Sequence, residues 1–412
     1  MSKVAAADER EDCAVDAGTV VGVLLGRRAA ILRAARARNT IVLGAVFVLA
    51  AGLARDYDGA DLTREPWRLA VPFIISAALG LLLYVLARVR TESRPGFWIG
   101  YRSFLGVMWL MAPTALLYGV PWERMLSPVN AAGANLITLA VVSTWRVTLM
   151  TRVVSVTTGV GPVTAFFRVM AVVGTAACAV LAVMPKPVFY MMGGIHQTGA
   201  DALVAGWAAL AMTVSMLLMI FWVIGAAIYL QVRGRWTVQG VEGVQVSPGA
   251  FVVAIACLMP WLTALPRTQG EQRLRHDVEW LMNAGRIDEA LDAMSARRRD
   301  AFPPQWDPPP KIGWDVGERP PVLDVVERVV ARGTTGWVRE AYIDKLERRF
   351  MWQWWGVSDD ERPRLIRLLA AMPEGTALEQ KHAEWMVRLG LEPATAPAAA
   401  ERVGATTQGV SR

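Results

Sequence analysis

Apolar residues gather into seven stretches over the first two-thirds of the chain, near 40–54, 69–87, 103–120, 135–151, 169–185, 202–230 and 249–266. Most approach the roughly 20 helical residues that cross a hydrocarbon core about 30 Å thick. Within lipid every backbone polar group needs an internal partner, so runs of this length are helical. The pattern predicts an all-α polytopic transmembrane bundle of about seven spans over 40–266, preceded by a basic segment at 1–39. The sixth stretch extends to about 30 residues, Asp201 to Val232, long enough to tilt or project. Pro113 and Pro260 fall inside the third and seventh stretches and predict kinks there.

Beyond residue 266 the periodicity becomes that of short amphipathic helices. Leu274, Val278 and Leu281 share one face, and Ile287, Leu291 and Met294 repeat the spacing after Gly285, which suits a left-handed stop. Such an αα-hairpin is similar to one tetratricopeptide unit, but no second copy at a period of about 34 residues follows. Paired prolines make 303–321 an extended, stiff bridge. Helical stripes resume at Val322, Val325, Val326, Val329 and Val330, stopped by Gly333, and at Trp337, Ile343, Leu346 and Phe350. Thr376 to Glu379 reads as a capping box before a helix with Trp385 and Leu389, closed by Gly390. Residues 267–392 are thus expected to form a small soluble all-helical domain, and 393–412 a disordered tail.

Charge adds direction. The excess of +7 arises in residues 1–266, with 21 Lys+Arg against 13 Asp+Glu, whereas 267–412 carry 22 against 23. Counted over alternate loops, 15 Lys and Arg fall on one side and 5 on the other. Basic loops stay cytoplasmic, which predicts a cytoplasmic N-terminus in the cell (inner) membrane and, after seven crossings, an external C-terminal domain. Arg outnumbers Lys 38 to 5, the coding bias of a GC-rich bacterium, and the arginines flank apolar stretches. The expected partners are therefore the lipid bilayer and another protein through the C-terminal domain, with no nucleic acid.

The first 19 residues are acidic, unlike the basic start of a cleavable signal peptide. On one helical wheel through 20–38 the arginines scatter, which reads as a basic anchor on the inner leaflet. Cys13, Cys178 and Cys257 suggest no disulfide.

Few residues carry candidate chemistry. Arg146 and Arg168 lie in or beside spans. They either snorkel to cytoplasmic headgroups or line a cytoplasm-facing cavity that holds an anion. No carboxylate inside a span pairs with them, which argues against a proton relay. Asp56, Asp58 and Asp61 loosely resemble a calcium loop in spacing but lack its terminal acidic ligand. They read as a solvated acidic turn with internal Arg pairs. His196, beside Gly193-Gly194, reads as a surface histidine. Trp67 and Trp122 suit one interfacial belt and Trp98 the other. Trp352, Trp354 and Trp355 crowd together as ring-rich core, a membrane-resting face or an interaction surface.

No HExxH, GxSxG, GxxxxGK[ST] or GxGxxG motif occurs. No catalytic residue, cofactor or metal site is expected. The expectation is a non-enzymatic multi-pass membrane protein presenting its helical C-terminal domain for protein interaction. The alternative is a transporter or channel with a path past Arg146 and Arg168.

Overall fold

Asp16 starts the first helix, α1 (Ala17–Leu24), through a capping box. Its Oδ1 accepts from the Thr19 amide at 2.7 Å and the Thr19 hydroxyl at 2.6 Å. Gly26, at φ +68°, then breaks the helix, and α2 (Arg28–Arg36) restarts before a 110° bend into α3 (Thr40–Asp56). Val20, Val23, Ile31, Ala34 and Ala35 are buried. The N-terminal segment is therefore part of the folded core from residue 14, not a loose anchor. A single wheel scatters its arginines because the break at Gly26 resets the helical phase.

The computed structural model describes residues 14–183, 199–238, 244–304, 306–310, 320–350, 361–374, 377–378 and 380, and these are mostly helical. The chain divides into two compact units between His276 and Asp277, with 300–306 grouped with the first.

In the first unit α3 forms the centre. Its Leu43, Phe47, Ala50, Leu53 and Ala54 are buried. Around it lie α4 (Val71–Arg88), entered through a 3-10 turn at Pro66–Ala70, and α5 (Phe97–Trp109). A 3-10 segment (Ala112–Gly119), α6 (Trp122–Met125), α7 (Pro128–Thr158), α8 (Pro162–Val183), α9 (Gly199–Tyr229) and α10 (Pro248–Asn283) follow. Small residues let α3 and α5 meet closely: a Cβ on Gly44 would come within 2.6 Å of the Trp109 Cβ.

Among the described residues six helical stretches are long and apolar enough to cross a membrane, or seven if α2 and α3 count as one bent span. Their outward faces are apolar, with Leu217, Ile220 and Ile228 of α9 exposed. This is the character of a membrane-embedded bundle. Around Pro113 the α-helix gives way to the 3-10 segment. Pro260 and Pro266 lie within α10, which runs 36 residues. The seventh apolar stretch and the first helix of the expected hairpin are thus one helix, because Arg267 to Arg273 contains no stop beyond the isolated Gly270.

The bundle has two distinct ends. At one, a collar joins the N-terminal residues to the loops: Val15 bridges Val246, and β1 (Thr91–Glu92) pairs in parallel with β2 (Gly234–Arg235). The Arg38 amide donates to Val244 O at 3.2 Å and the Thr237 amide to Thr157 O at 2.9 Å. At the other end α10 grips the α3–α4 loop. Gln269 Nε2 donates to Tyr57 O and Ala60 O at 3.1 and 3.0 Å, while its Oε1 accepts from the Leu62 amide at 2.8 Å.

The second unit contains α11 (Ile287–Ser295), α12 (Val322–Ala331), α13 (Trp337–Phe350) and α14 (Glu361–Ala371). Gly285 and Gly333 adopt positive φ after the helices they were expected to end. Val322, Val325, Val326 and Val329 are all buried. On α13 the buried face is Val338, Tyr342, Lys345 and Leu346, whereas Ile343 is only partly covered. The fully buried Lys345 accounts for this choice: its Nζ donates to Asp307 Oδ2 and Pro310 O at 2.8 Å each, and to Pro308 O. Tyr342 donates to Pro309 O at 2.7 Å. Asp307 to Pro310 of the proline bridge are therefore docked on α13. Cys13, His196, Trp314, Trp352, Trp354, Trp355, the Thr376–Glu379 capping box, Trp385, Gly390 and the tail from 393 lie outside the described residues.

Candidate functional site

Small residues where α3, α4 and the 3-10 segment converge leave a cavity of about 220 Å³. Val48, Ala51 and Gly52 of α3, Leu79, Gly80 and Leu83 of α4, and Ala112 and Ala115 of the 3-10 segment make its apolar wall. Val172 and Val173 of α8 close one side. Five residues bring polar groups: Arg55, Ser76, Trp109, Tyr118 and Arg146. No Asp or Glu lines it.

Two of these groups serve the fold. Ser76 Oγ donates to Pro72 O at 2.5 Å and accepts from Trp109 Nε1 at 2.9 Å, which fixes the indole beside the cavity. The arginines differ. Arg146 is 18 residues from the start of α7 and 12 from its end, so it sits about 27 and 18 Å from the two ends. Its Nε is buried with no hydrogen-bond partner among the described residues. Tyr118 lines the cavity together with Arg146 and Arg55. Arg55, in the last turn of α3, is 74% exposed and has Asp56 only at 4.0 Å. A guanidinium stays protonated in any protein setting, so Arg146 brings to the cavity a positive charge that no lining carboxylate among the described residues meets.

Arg168 is elsewhere. It is fully buried in α8, and its two terminal nitrogens donate to Ala87 O and Val232 O at 3.2 Å each. It ties the end of α4 to the segment after α9, on the collar side, and does not line the cavity. The cavity instead reaches toward Arg55 and Tyr118 at the opposite end of the bundle. One site holding both Arg146 and Arg168 is not what the fold builds. Arg55 and Tyr118 were not singled out by sequence: Arg55 looked like a loop residue because α3 runs to Asp56, two residues past the apolar stretch.

The acidic loop also departs from expectation. Asp61 is buried, not solvated. Its Oδ1 accepts from the Thr63 amide at 3.0 Å, the Thr63 hydroxyl at 2.5 Å and the Arg64 amide at 3.2 Å. The clamp by α10 presses the loop inward and leaves this carboxylate to satisfy the backbone locally. Arg64 stands 3.8 Å from its other oxygen. Beside the loop, Arg124 makes a two-pronged pair with Glu271 at 3.2 and 2.6 Å. Burial raises the Asp58 carboxyl above the usual range. No group of three or more His, Cys, Asp or Glu among the described residues could hold a metal ion.

No protein-family model matches the chain, and no curated protein or solved structure matches it.

Proposed function

We propose that this is a non-enzymatic multi-pass protein of the cell (inner) membrane that presents its C-terminal unit to a protein partner on the external side. The carrying observation is the match between charge and the two ends of the bundle. Among the described residues the collar side holds 13 of the loop Lys and Arg residues, and the end gripped by α10 belongs to the side with 4, Arg55, Arg64, Arg68 and Arg124. Basic loops resist translocation, which supports a cytoplasmic collar. The N-terminal helices join the collar, whereas Gln269 and Glu271 of α10 lie at the other end, in keeping with an odd number of crossings.

The transporter or channel reading draws less support, because Arg168 is engaged by carbonyls at the collar and is not on a shared path with Arg146. Topology reporters fused after Arg90 and Tyr57 should read cytoplasmic and external, and one after Arg412 external. A cytoplasmic reading at Arg412 would overturn the external placement. Photo-crosslinking in native membranes should lose its protein adducts when 284–412 are removed; an unchanged adduct pattern would overturn the presentation role.

A further inference from the structure

Arg146 and Arg55 share a cavity with no carboxylate, in a part of the chain surrounded by apolar side chains. A charge at membrane depth is costly unless something of opposite sign meets it. Neither arginine is offered a close anion by the protein: Arg146 has none among the described residues, and Arg55 has Asp56 only at 4.0 Å. Apart from Ser76, Trp109 and Tyr118 the rest of the wall is hydrocarbon, and an apolar cavity of roughly 150 Å³ already accepts a small hydrocarbon. This one is about 220 Å³. Two of its lining residues are exposed: Ile75, 53% exposed on α4, and Arg55 at the end of α3.

We propose that this cavity binds an anionic amphiphile, its phosphate or carboxylate head held by Arg146 and Arg55 and the start of its alkyl chain laid along Ala51, Leu79 and Leu83. An arginine fork matches both kinds of head, and two of them flank the space. Tyr118 supplies a hydroxyl at the same end. A water-soluble anion would leave the apolar wall unused, and a neutral lipid would leave both guanidinium groups uncompensated. The shared chemistry is a negative head on an alkyl chain, whether bilayer phospholipid or free fatty acid supplies it.

The test uses the full chain in phosphatidylcholine nanodiscs, titrated separately with phosphatidylglycerol and with oleate. Saturable binding of either is expected, the better ligand identifying the source. Arg146→Gln and Arg55→Gln should each weaken it at least tenfold, and Ala51→Leu should do so by filling the cavity without touching a charge. Arg102→Gln, on an exposed arginine of α5, should leave it unchanged. Should Arg146→Gln fail to fold, Arg55→Gln and Ala51→Leu still decide. Undiminished binding in both of those variants would overturn the proposal. So would the absence of saturable binding by either probe, or full competition by millimolar inorganic phosphate, which has no chain.

Discussion

Arg168 and Arg146 are both arginines withdrawn from water within one bundle, and the fold treats them in opposite ways. Arg168 donates to two carbonyls: Ala87 O near the end of α4, which also accepts from the Thr91 hydroxyl at 2.7 Å, and Val232 O in the segment after α9. Both leave a buried Nε without an acceptor among the described residues, but Arg146 faces a cavity where the terminal nitrogens of Arg168 meet carbonyls. In the second unit, Lys345 belongs with Arg168: it is fully buried, and its ammonium meets one carboxylate and two carbonyls. Burial of a charge is therefore a poor marker of function by itself. The useful question is whether the chain supplies the acceptors.

The largest effect should come from removing the structural arginine. Arg168→Leu removes two charge-assisted hydrogen bonds, leaving Val232 O without this donor and Ala87 O with the Thr91 hydroxyl alone, and a hydrogen bond to a charged group contributes about 1.5–3 kcal/mol. A net loss of about 2–4 kcal/mol is expected, read as a clear fall in melting temperature in mild detergent. Arg168→Lys should recover only part of it, since one ammonium is a point charge where the fork spans two carbonyls. A Leu variant as stable as the parent would erase the distinction between the two arginines.

The spans were legible because lipid imposes one unambiguous rule on apolar length. So were the stops at Gly285 and Gly333, where the positive φ favours glycine. Two boundaries were not. The break at Gly26 hid the one-sided burial of α1 and α2, and the absence of a stop after Arg267 let α10 continue where a separate short helix was expected. The cavity was the least legible feature. Arg146 stood out as a charge within a span, but its neighbours come from α3, α4, the 3-10 segment and α8, far apart in sequence. Nothing local to Arg146 or Arg168 distinguishes a guanidinium that meets carbonyls from one that meets a void.

A smaller effect tests whether the collar holding Arg168 frays independently of the cavity. Asp16 caps α1, and the Thr19 hydroxyl, then the Thr19 amide, hold its carboxyl below the usual 3.8. A depressed folded-state pKa adds stability above the unfolded value and loses it as pH falls through the folded one. The protection factors of residues 17–25, taken relative to the intrinsic exchange rate at each pH, should therefore fall below about pH 4 relative to pH 7. Asp16→Ala should cost about 1 kcal/mol at neutral pH. Asp16→Asn, still a good cap, should flatten the pH dependence. A uniform fall in protection across α7 as well would mean that collar and cavity open together.

The smallest effect is the most discriminating. Arg146→Leu removes a charge to which the described residues offer no counter-ion and extends an apolar wall. Replacing buried charge by well-packed hydrophobic groups is often neutral or stabilising. In phosphatidylcholine nanodiscs without anionic amphiphile, the melting temperature should stay within a few degrees of the parent or rise. Adding phosphatidylglycerol or oleate should then raise the parent's melting temperature and leave the variant's unchanged, because only a ligand that prefers the folded parent shifts its equilibrium. A large loss of stability in Arg146→Leu without ligand would place Arg146 beside Arg168 as a structural residue. The contrast between the two arginines would then be one of hydrogen-bond count, with no separate binding role for the cavity.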